Sequence, residues 1–378
     1  MQVKIDASNI KTCGGLTHLF KIIKNFDSDD INLDVIGGNW LSDFPSKKNI
    51  VISIFKLPFR NIFFQELFKR TRLIQNLKKG DIIFSPGGTF YSKNIPYVSM
   101  SQNMLVFEDK ERNRFPFSFT KIRYLLLEKI QLKSFKNASG IIYISFYAKK
   151  YIEEKYPILK SVNSIVIYHG ISNDFRQKPK KQYNINKYTK DKPYTITYVS
   201  IVNYYKHQFN VINSIKEIRR KGYNVQLELI GPVKKSLKKK FSNALVGCES
   251  FVKYKGKIPY NEISKIYKNT DLFIFASTCE NMPNILVEAM SAGLPILCSN
   301  YGPMPEILKD GGRYMDPISI ESITKNLKFL LDNENYRYDI SNRAILHSKQ
   351  FSWKKTSKKT FDFIKSVKEK YETNITIL

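Results

Sequence analysis

Glu280 and Glu288 bracket the segment Ala276-Ser277-Thr278-Cys279-Glu280-Asn281-Met282-Pro283-Asn284-Ile285-Leu286-Val287-Glu288-Ala289-Met290-Ser291-Ala292-Gly293-Leu294-Pro295. An apolar run ends just before it, Pro283 suits a first helical turn, and Glu288 falls inside the helix that follows. The stretch from Pro283 to Leu286 then offers backbone N–H groups at a helix start, where phosphate binds, with a carboxylate on either side for sugar or ribose hydroxyls. A purely structural reading makes Glu280 a helix-start charge and Glu288 part of a solvated helix face.

Lys206, in Tyr205-Lys206-His207-Gln208, follows the apolar Tyr198-Val199. Its flexible point charge suits a phosphate, although a surface lysine is commonplace. Gly14-Gly15 lies between a first strand and a first helix, where glycine lets backbone approach an anion or simply makes a turn. Gln102-Asn103 follows another strand, as a cleft-lining amide pair or as a strand-end cap. His169, in Tyr168-His169-Gly170-Ile171, is read as a loop or hinge residue. Cys13, Cys248, Cys279 and Cys298 lie far apart without metal-ligand spacing, so neither a disulfide scaffold nor a zinc ribbon is implied and a reducing compartment is the default. No Asp-x-Asp pair stands in a metal-binding context, and no metal is expected.

The elements that must position these residues alternate between short apolar runs and amphipathic stretches, the α/β pattern. Strands are expected at 3–6, 31–36, 50–54, 81–84, 97–100, 140–144 and 164–167, with helices at 16–24, 62–77, 119–135 and 146–156, the last capped by Ser145. A polar stretch, 175–193, has the composition of a linker. A second series follows, with strands at 194–199, 225–230, 251–254, 272–275 and 295–298 and helices at 209–221, 260–268, 284–291 and 319–331, ending in a basic helix at 353–371. Two doubly wound units in tandem place the carboxyl ends of their strands around a cleft suited to a phosphorylated ligand.

With 62 Lys and Arg against 33 Asp and Glu, the formal charge is +29 over 378 residues. Such a balance fits nucleic acid, an anionic membrane surface or anionic small molecules, and compositional bias also supplies part of it. Basic residues are neither grouped on one helix nor interleaved with stacking aromatics in a recognisable module, so no specific nucleic-acid binding is expected. The amino terminus lacks the order of a secretion signal, and no run of about 18 apolar residues occurs.

The segment from Glu280 to Pro295 resembles the signature of retaining glycosyltransferases of family 4: Glu, seven residues, Glu, continuing as Glu-Ala-Met-x-Ala-Gly-x-Pro. The glycine pair, Gln102-Asn103, Lys206 and Lys257-Ile258-Pro259 extend the resemblance over nearly the whole chain. It departs at Ser200 and Ile201, where Gly-Arg is usual, and at His169 and Ser172, where Asn and Asp are usual. The resemblance implies a GT-B fold, with residues 1–177 an acceptor domain completed by helix 357–378 and residues 178–356 a nucleotide-sugar domain. It implies catalytic roles for Glu280 and Lys206 and donor contacts from Gly15, Lys206, Ile258, Glu280, Asn281, Pro283, Asn284, Ile285, Leu286 and Glu288. Gln102 and Asn103 fall on the acceptor side; with Gly-Arg missing, phosphate neutralisation leans on Lys206, helix N–H groups and His207. The implied reaction moves sugar, with retention, from a UDP- or GDP-sugar to a glycan, lipid-linked, in bacterial surface polysaccharide synthesis. No cofactor is needed beyond that co-substrate, and the enzyme sits on the inner face of the cytoplasmic membrane. A nucleotide-sugar epimerase or a phosphorylase on the same fold, or a basic nucleic-acid-binding protein, are the alternatives. Closure about residues 168–193 is the expected response to ligand.

Overall fold

The computed structural model describes residues 1–10, 13–44, 47–54, 77, 80–116 and 118–376. The helix expected at 62–77 lies outside the described residues apart from its last position. Two compact units emerge: Met1–Phe107 with Phe117–Gly170 and Ser352–Leu378, and Glu108–Pro116 with Ile171–Phe351.

The first unit is built on strands β1 (Gln2–Asp6), β2 (Asn32–Gly37), β3 (Ile50–Ile54), β4 (Ile82–Ser85), β5 (Tyr97–Ser101), β6 (Gly140–Tyr143) and β7 (Ser164–Val166). They form one parallel sheet in the order β3-β2-β1-β4-β5-β6-β7, with Val3 opposite both Leu33 and Ile82. Every residue of β4 and β5 is buried, because helices cover both faces of such a sheet and its inner strands have no solvent side. Ser145 caps helix Phe146–Lys155, its hydroxyl accepting from Ala148 N at 3.1 Å. The carboxy-terminal helix Trp353–Thr376 packs in this unit: Ser357 Oγ donates to Ile22 O at 2.7 Å, and Phe361 meets the Phe26 ring at 4.6 Å.

The second unit carries β8 (Tyr194–Val199), β9 (Val225–Ile230), β10 (Val252–Gly256), β11 (Leu272–Phe275), β12 (Ile296–Ser299) and β13 (Arg313–Met315) in the parallel order β10-β9-β8-β11-β12-β13. In both sheets the strand order reverses beside the first strand of the unit, at β1/β4 and at β8/β11. Crevices outside the strand ends at such points bind ligands.

Several elements depart from the expectation for identifiable reasons. Helix Glu334–Ser348 turns Arg337, Ile340, Ser341, Ala344 and Ser348 inward, so its buried side is mostly polar or small and shows little apolar period. Helix Lys238–Leu245 buries only Phe241 and is masked by its lysines. The stretch expected as a free linker is instead tied down. Gln177 N donates to Ser291 O at 3.0 Å, Lys180 Nζ to Thr270 O at 2.7 Å, and the buried Arg337 guanidinium to Gln182 Oε1 and to the carbonyls of Tyr183, Leu330 and Leu331. The change of unit therefore falls at 170/171 and 351/352 rather than at the expected 177/178 and 356/357. The segment 108–116, which no local pattern marked out, belongs to the second unit.

Candidate functional site

In the second unit the β8/β11 crevice is formed by the loops leaving Val199 and Phe275. The first loop makes a short turn, Tyr204–Lys206, whose start is capped by Asn203 Oδ1 accepting from Tyr204 N at 2.9 Å. The hydroxyl of Tyr198, buried in β8, donates to Lys206 O at 2.6 Å and fixes the end of the turn against the sheet. His207 then takes a left-handed conformation, φ 49°, which strains a residue with a Cβ, and helix Gln208–Arg220 begins. The strain is held by Thr278 from the second loop: His207 Nε2 lies 3.2 Å from Thr278 Oγ1, and Thr278 N donates to Tyr205 O at 2.9 Å. Burial, and next the nearby Arg114 charge, push the His207 imidazole down to about 4, so it is neutral at ordinary pH.

This framework brings Lys206 and Glu280 into direct contact. Lys206 Nζ pairs with Glu280 Oε1, and the ammonium lies 5.1 Å from the Phe275 ring and 5.2 Å from the Tyr205 ring. The two side chains are only 7% and 15% exposed, so neither charge is well hydrated and each depends on the other. A site for a polar, anionic guest follows, in which the ammonium favours anion and the carboxylate accepts hydroxyl donors.

Glu288 is not on a solvated face. It is buried inside helix Asn284–Ser291, with Oε1 accepting from Tyr260 OH at 2.9 Å and Oε2 without a hydrogen-bond partner among the described residues. Burial lifts its carboxyl to about 7, against the opposing effect of the Tyr260 and Tyr267 hydroxyls. An unpaired buried carboxylate oxygen is costly, and the Tyr267 hydroxyl, likewise buried and unpaired, lies near enough to offset part of that cost. Tyr260 opens the helix that follows Ile258, so the half-buried Ile258 loop and Glu288 are linked through one tyrosine.

Around the helix start, Asn281 and Pro283 are buried, and Asn284 and Ile285 are half-exposed. Pro283 is the N-cap rather than a first-turn residue and supplies no side-chain cap bond. Leu286 differs from the expectation: its side chain is in the core and its N–H donates to Pro283 O at 3.1 Å, so it has no amide to offer a ligand.

In the first unit, helix Cys13–Lys24 begins earlier than expected and takes Gly14 and Gly15 into its first turn. Gly15 comes close to Gln102, since a Cβ there would lie 3.0 Å from Gln102 Oε1. Gln102 Nε2 faces His18 Nδ1 at 3.4 Å, and the buried His18 ring stacks on His169 at 4.6 Å beside Trp353. Burial and then His169 hold the His18 imidazole well below its usual range. Asn103 is exposed and caps the turn Met104–Val106, its Oδ1 accepting from Leu105 N at 3.1 Å, which is the strand-end role. His169 is a packing residue beside the chain crossing, where a Cβ on Gly170 would lie 2.1 Å from Trp353 N.

The sequence did not single out Thr278, Tyr260 or Glu111. Glu111, buried in the segment 108–116, accepts from Thr278 Oγ1 at 2.5 Å and from Arg114 Nε at 2.7 Å. A run as charged as Asp109-Lys110-Glu111-Arg112-Asn113-Arg114 carries no local sign of docking elsewhere.

The family described as glycosyl transferases group 1 matches residues 180–347. The O-antigen chain mannosyltransferase B of Escherichia coli is 29% identical over 117 residues, 31% of this chain and 31% of that protein. Protein CapJ of Staphylococcus aureus is 31% identical over 226 residues, 58% of this chain and 53% of its own length. The chain thus spans about a third and about half of these two curated relatives. Among solved structures, Anabaena HepE in complex with UDP-glucose superposes with a TM-score of 0.70 at 17% identity, covering all of both chains, a likeness of fold.

Proposed function

We propose that this chain, whose residues 180–347 match the group 1 glycosyltransferases and whose fold is GT-B, is a retaining glycosyltransferase that moves sugar from a UDP- or GDP-sugar to a lipid-linked glycan. The observation that carries this reading is the Lys206–Glu280 pair at the β8/β11 crevice, followed within one helix by the buried Glu288 with an open oxygen. The UDP-glucose complex of the structural neighbour supports a nucleotide sugar as donor, and the O-antigen relative supports a surface glycan as product.

In this reading Glu280 takes donor-sugar hydroxyls, Lys206 the diphosphate, and Glu288 the ribose. The bond from the anomeric carbon to the phosphate oxygen breaks, and its electron pair leaves on the diphosphate. The acceptor oxygen bonds to that carbon on the same face, and its proton passes to the leaving phosphate. The ammonium and fixed dipoles stabilise the growing charge, so no bound metal is required. Neither carboxylate acts as the nucleophile of a hydrolase.

Peripheral attachment to an anionic membrane is part of the proposal. Among the described residues no helix is long and apolar enough to cross a membrane. Helix Phe119–Asn137 instead exposes Phe119, Ile122, Leu125, Leu126 and Ile130 alongside Arg123, Lys129, Lys133 and Lys136, with Lys121 half-exposed. Its single carboxylate, Glu128, is turned inward to Lys155 at 2.7 Å and Tyr156 at 2.5 Å. A helix side that is apolar and cationic, with its one acid turned inward, suits anionic lipid, at about 1 kcal/mol per basic residue near the surface.

Incubation with UDP- and GDP-sugars and lipid-linked acceptor is expected to give a glycosylated product, undiminished by EDTA and lost in Glu280→Gln. Full activity in that variant would remove Glu280 from the site, and donor isomerisation without acceptor would favour an epimerase.

A further inference from the structure

The segment Glu108–Pro116 sits in sequence between β5 and helix Phe119–Asn137 of the first unit yet packs into the second. It is pinned there at several points. The Phe115 ring meets Tyr204 edge-on at 5.1 Å, Lys234 Nζ lies 4.0 Å from the centre of the Phe115 ring, and Glu111 accepts from Thr278 at 2.5 Å. What it delivers to the crevice is Arg114. Glu111 Oε2 receives Arg114 Nε at 2.7 Å, which fixes one edge of the guanidinium. Its Nη1 and Nη2 make no hydrogen bond among the described residues, and the side chain is 25% exposed. Glu111 also bonds Thr278, which bonds the backbone of Tyr205 and the ring of His207, the two residues that flank Lys206. Thr278 itself stands two residues before Glu280.

A guanidinium anchored through Nε, with both outer nitrogens open, matches the two-point geometry of a phosphate. The neighbouring cations are less available: Lys206 is engaged by Glu280, and His207 is neutral. Ser200 and Ile201 supply no guanidinium from the loop after β8. We propose that Arg114 is an anion-binding residue of the donor site, its two Nη groups taking phosphate oxygens of the nucleoside diphosphate. This rests on the donor reading above. It places a guanidinium from a distant stretch of chain where the adjacent loop carries none, and it explains why a charged loop is fixed so firmly beside Lys206.

Calorimetric titration of the whole chain with UDP, GDP, uridine and guanosine tests it, alongside Arg114→Ala and Arg114→Lys. In Arg114→Ala the diphosphate that the parent binds is expected to lose about tenfold or more in affinity, with a shallower salt dependence. Nucleoside affinity should stay within about twofold. Arg114→Lys keeps the charge and a partner for Glu111 but not the fork, so it remains informative if the alanine variant fails to fold, and a loss of about fivefold is expected. Parental diphosphate affinity in folded Arg114→Lys or Arg114→Ala would overturn the proposal. So would an equal loss for nucleoside and diphosphate, the mark of a merely structural role. A parent that binds neither diphosphate overturns the donor reading itself, a result distinct from a parent that binds and variants that bind equally.

Discussion

At the scale of single residues, the Lys206–Glu280 pair joins two side chains 74 positions apart in a site with little water. Removing one partner of such a pair typically costs about 3–5 kcal/mol, because the other charge is left buried alone. Glu280→Gln, which still accepts from Lys206, is therefore the more informative change than Glu280→Ala. It is expected to lower transfer by about 100-fold while the variant stays folded, as read by product formation and thermal unfolding. Glu288 gives a pH signature. Its carboxyl stays protonated in the folded chain to about 7, against an ordinary 4.5. Between those values the folded state holds a proton that the unfolded chain has lost, so its contribution to stability falls as pH rises and levels off above the window. Glu288→Gln has no such slope. Unfolding temperatures across the window should show the parent declining relative to the variant, by roughly 2–4 °C per kcal/mol. Donor affinity in the parent should rise as pH passes through about 7, where the folded carboxyl ionises, and in the variant it should stay flat.

At the scale of elements, stretch 177–188 shows how a polar composition misleads. Arg337 is fully buried and satisfies four oxygen acceptors, two of them in this stretch. Its replacement leaves those carbonyls unpaired, a mechanism known to produce the larger destabilisations. Arg337→Ala is expected to cost about 3 kcal/mol or more and to expose 177–188 to limited proteolysis before the rest of the unit. Resistance equal to the parent's would mean the stretch is held by other bonds. Gly170 works differently, since its φ is not in the left-handed region and the constraint is purely one of space. Gly170→Ala is expected to push the start of helix Trp353–Thr376 away from the His18–His169 stack and lower the unfolding temperature. The strands most legible in the sequence were those buried on both faces: β8, β9 and β11 have the expected bounds because their apolar runs stop where the sheet stops. Helix Glu334–Ser348 escaped detection because its inward residues serve hydrogen bonding and close packing rather than apolar burial.

At the scale of the whole molecule, the charge of +29 is far larger than a diphosphate site needs. In the proposed membrane attachment, part of it sits on the exposed apolar and basic side of helix Phe119–Asn137. Sedimentation with vesicles should show binding to anionic lipid at low salt, retention of a fraction at high salt through the apolar residues, and loss of that fraction in Leu125→Ser/Leu126→Ser. Equal binding to zwitterionic vesicles, or none to either, would detach the charge from any membrane role.

The two α/β units, most strand positions and the glutamate segment are legible in the chain alone, because apolar period and helix-start chemistry are local properties that survive in one dimension. The burial of Glu288 against Tyr260, the meeting of Lys206 with Glu280, and the delivery of Glu111 and Arg114 to Thr278 by the segment 108–116 come from folding alone. Each of these is a pairing across a long stretch of chain, set by which loops the parallel sheet brings to one end, and no residue carries the address of its partner.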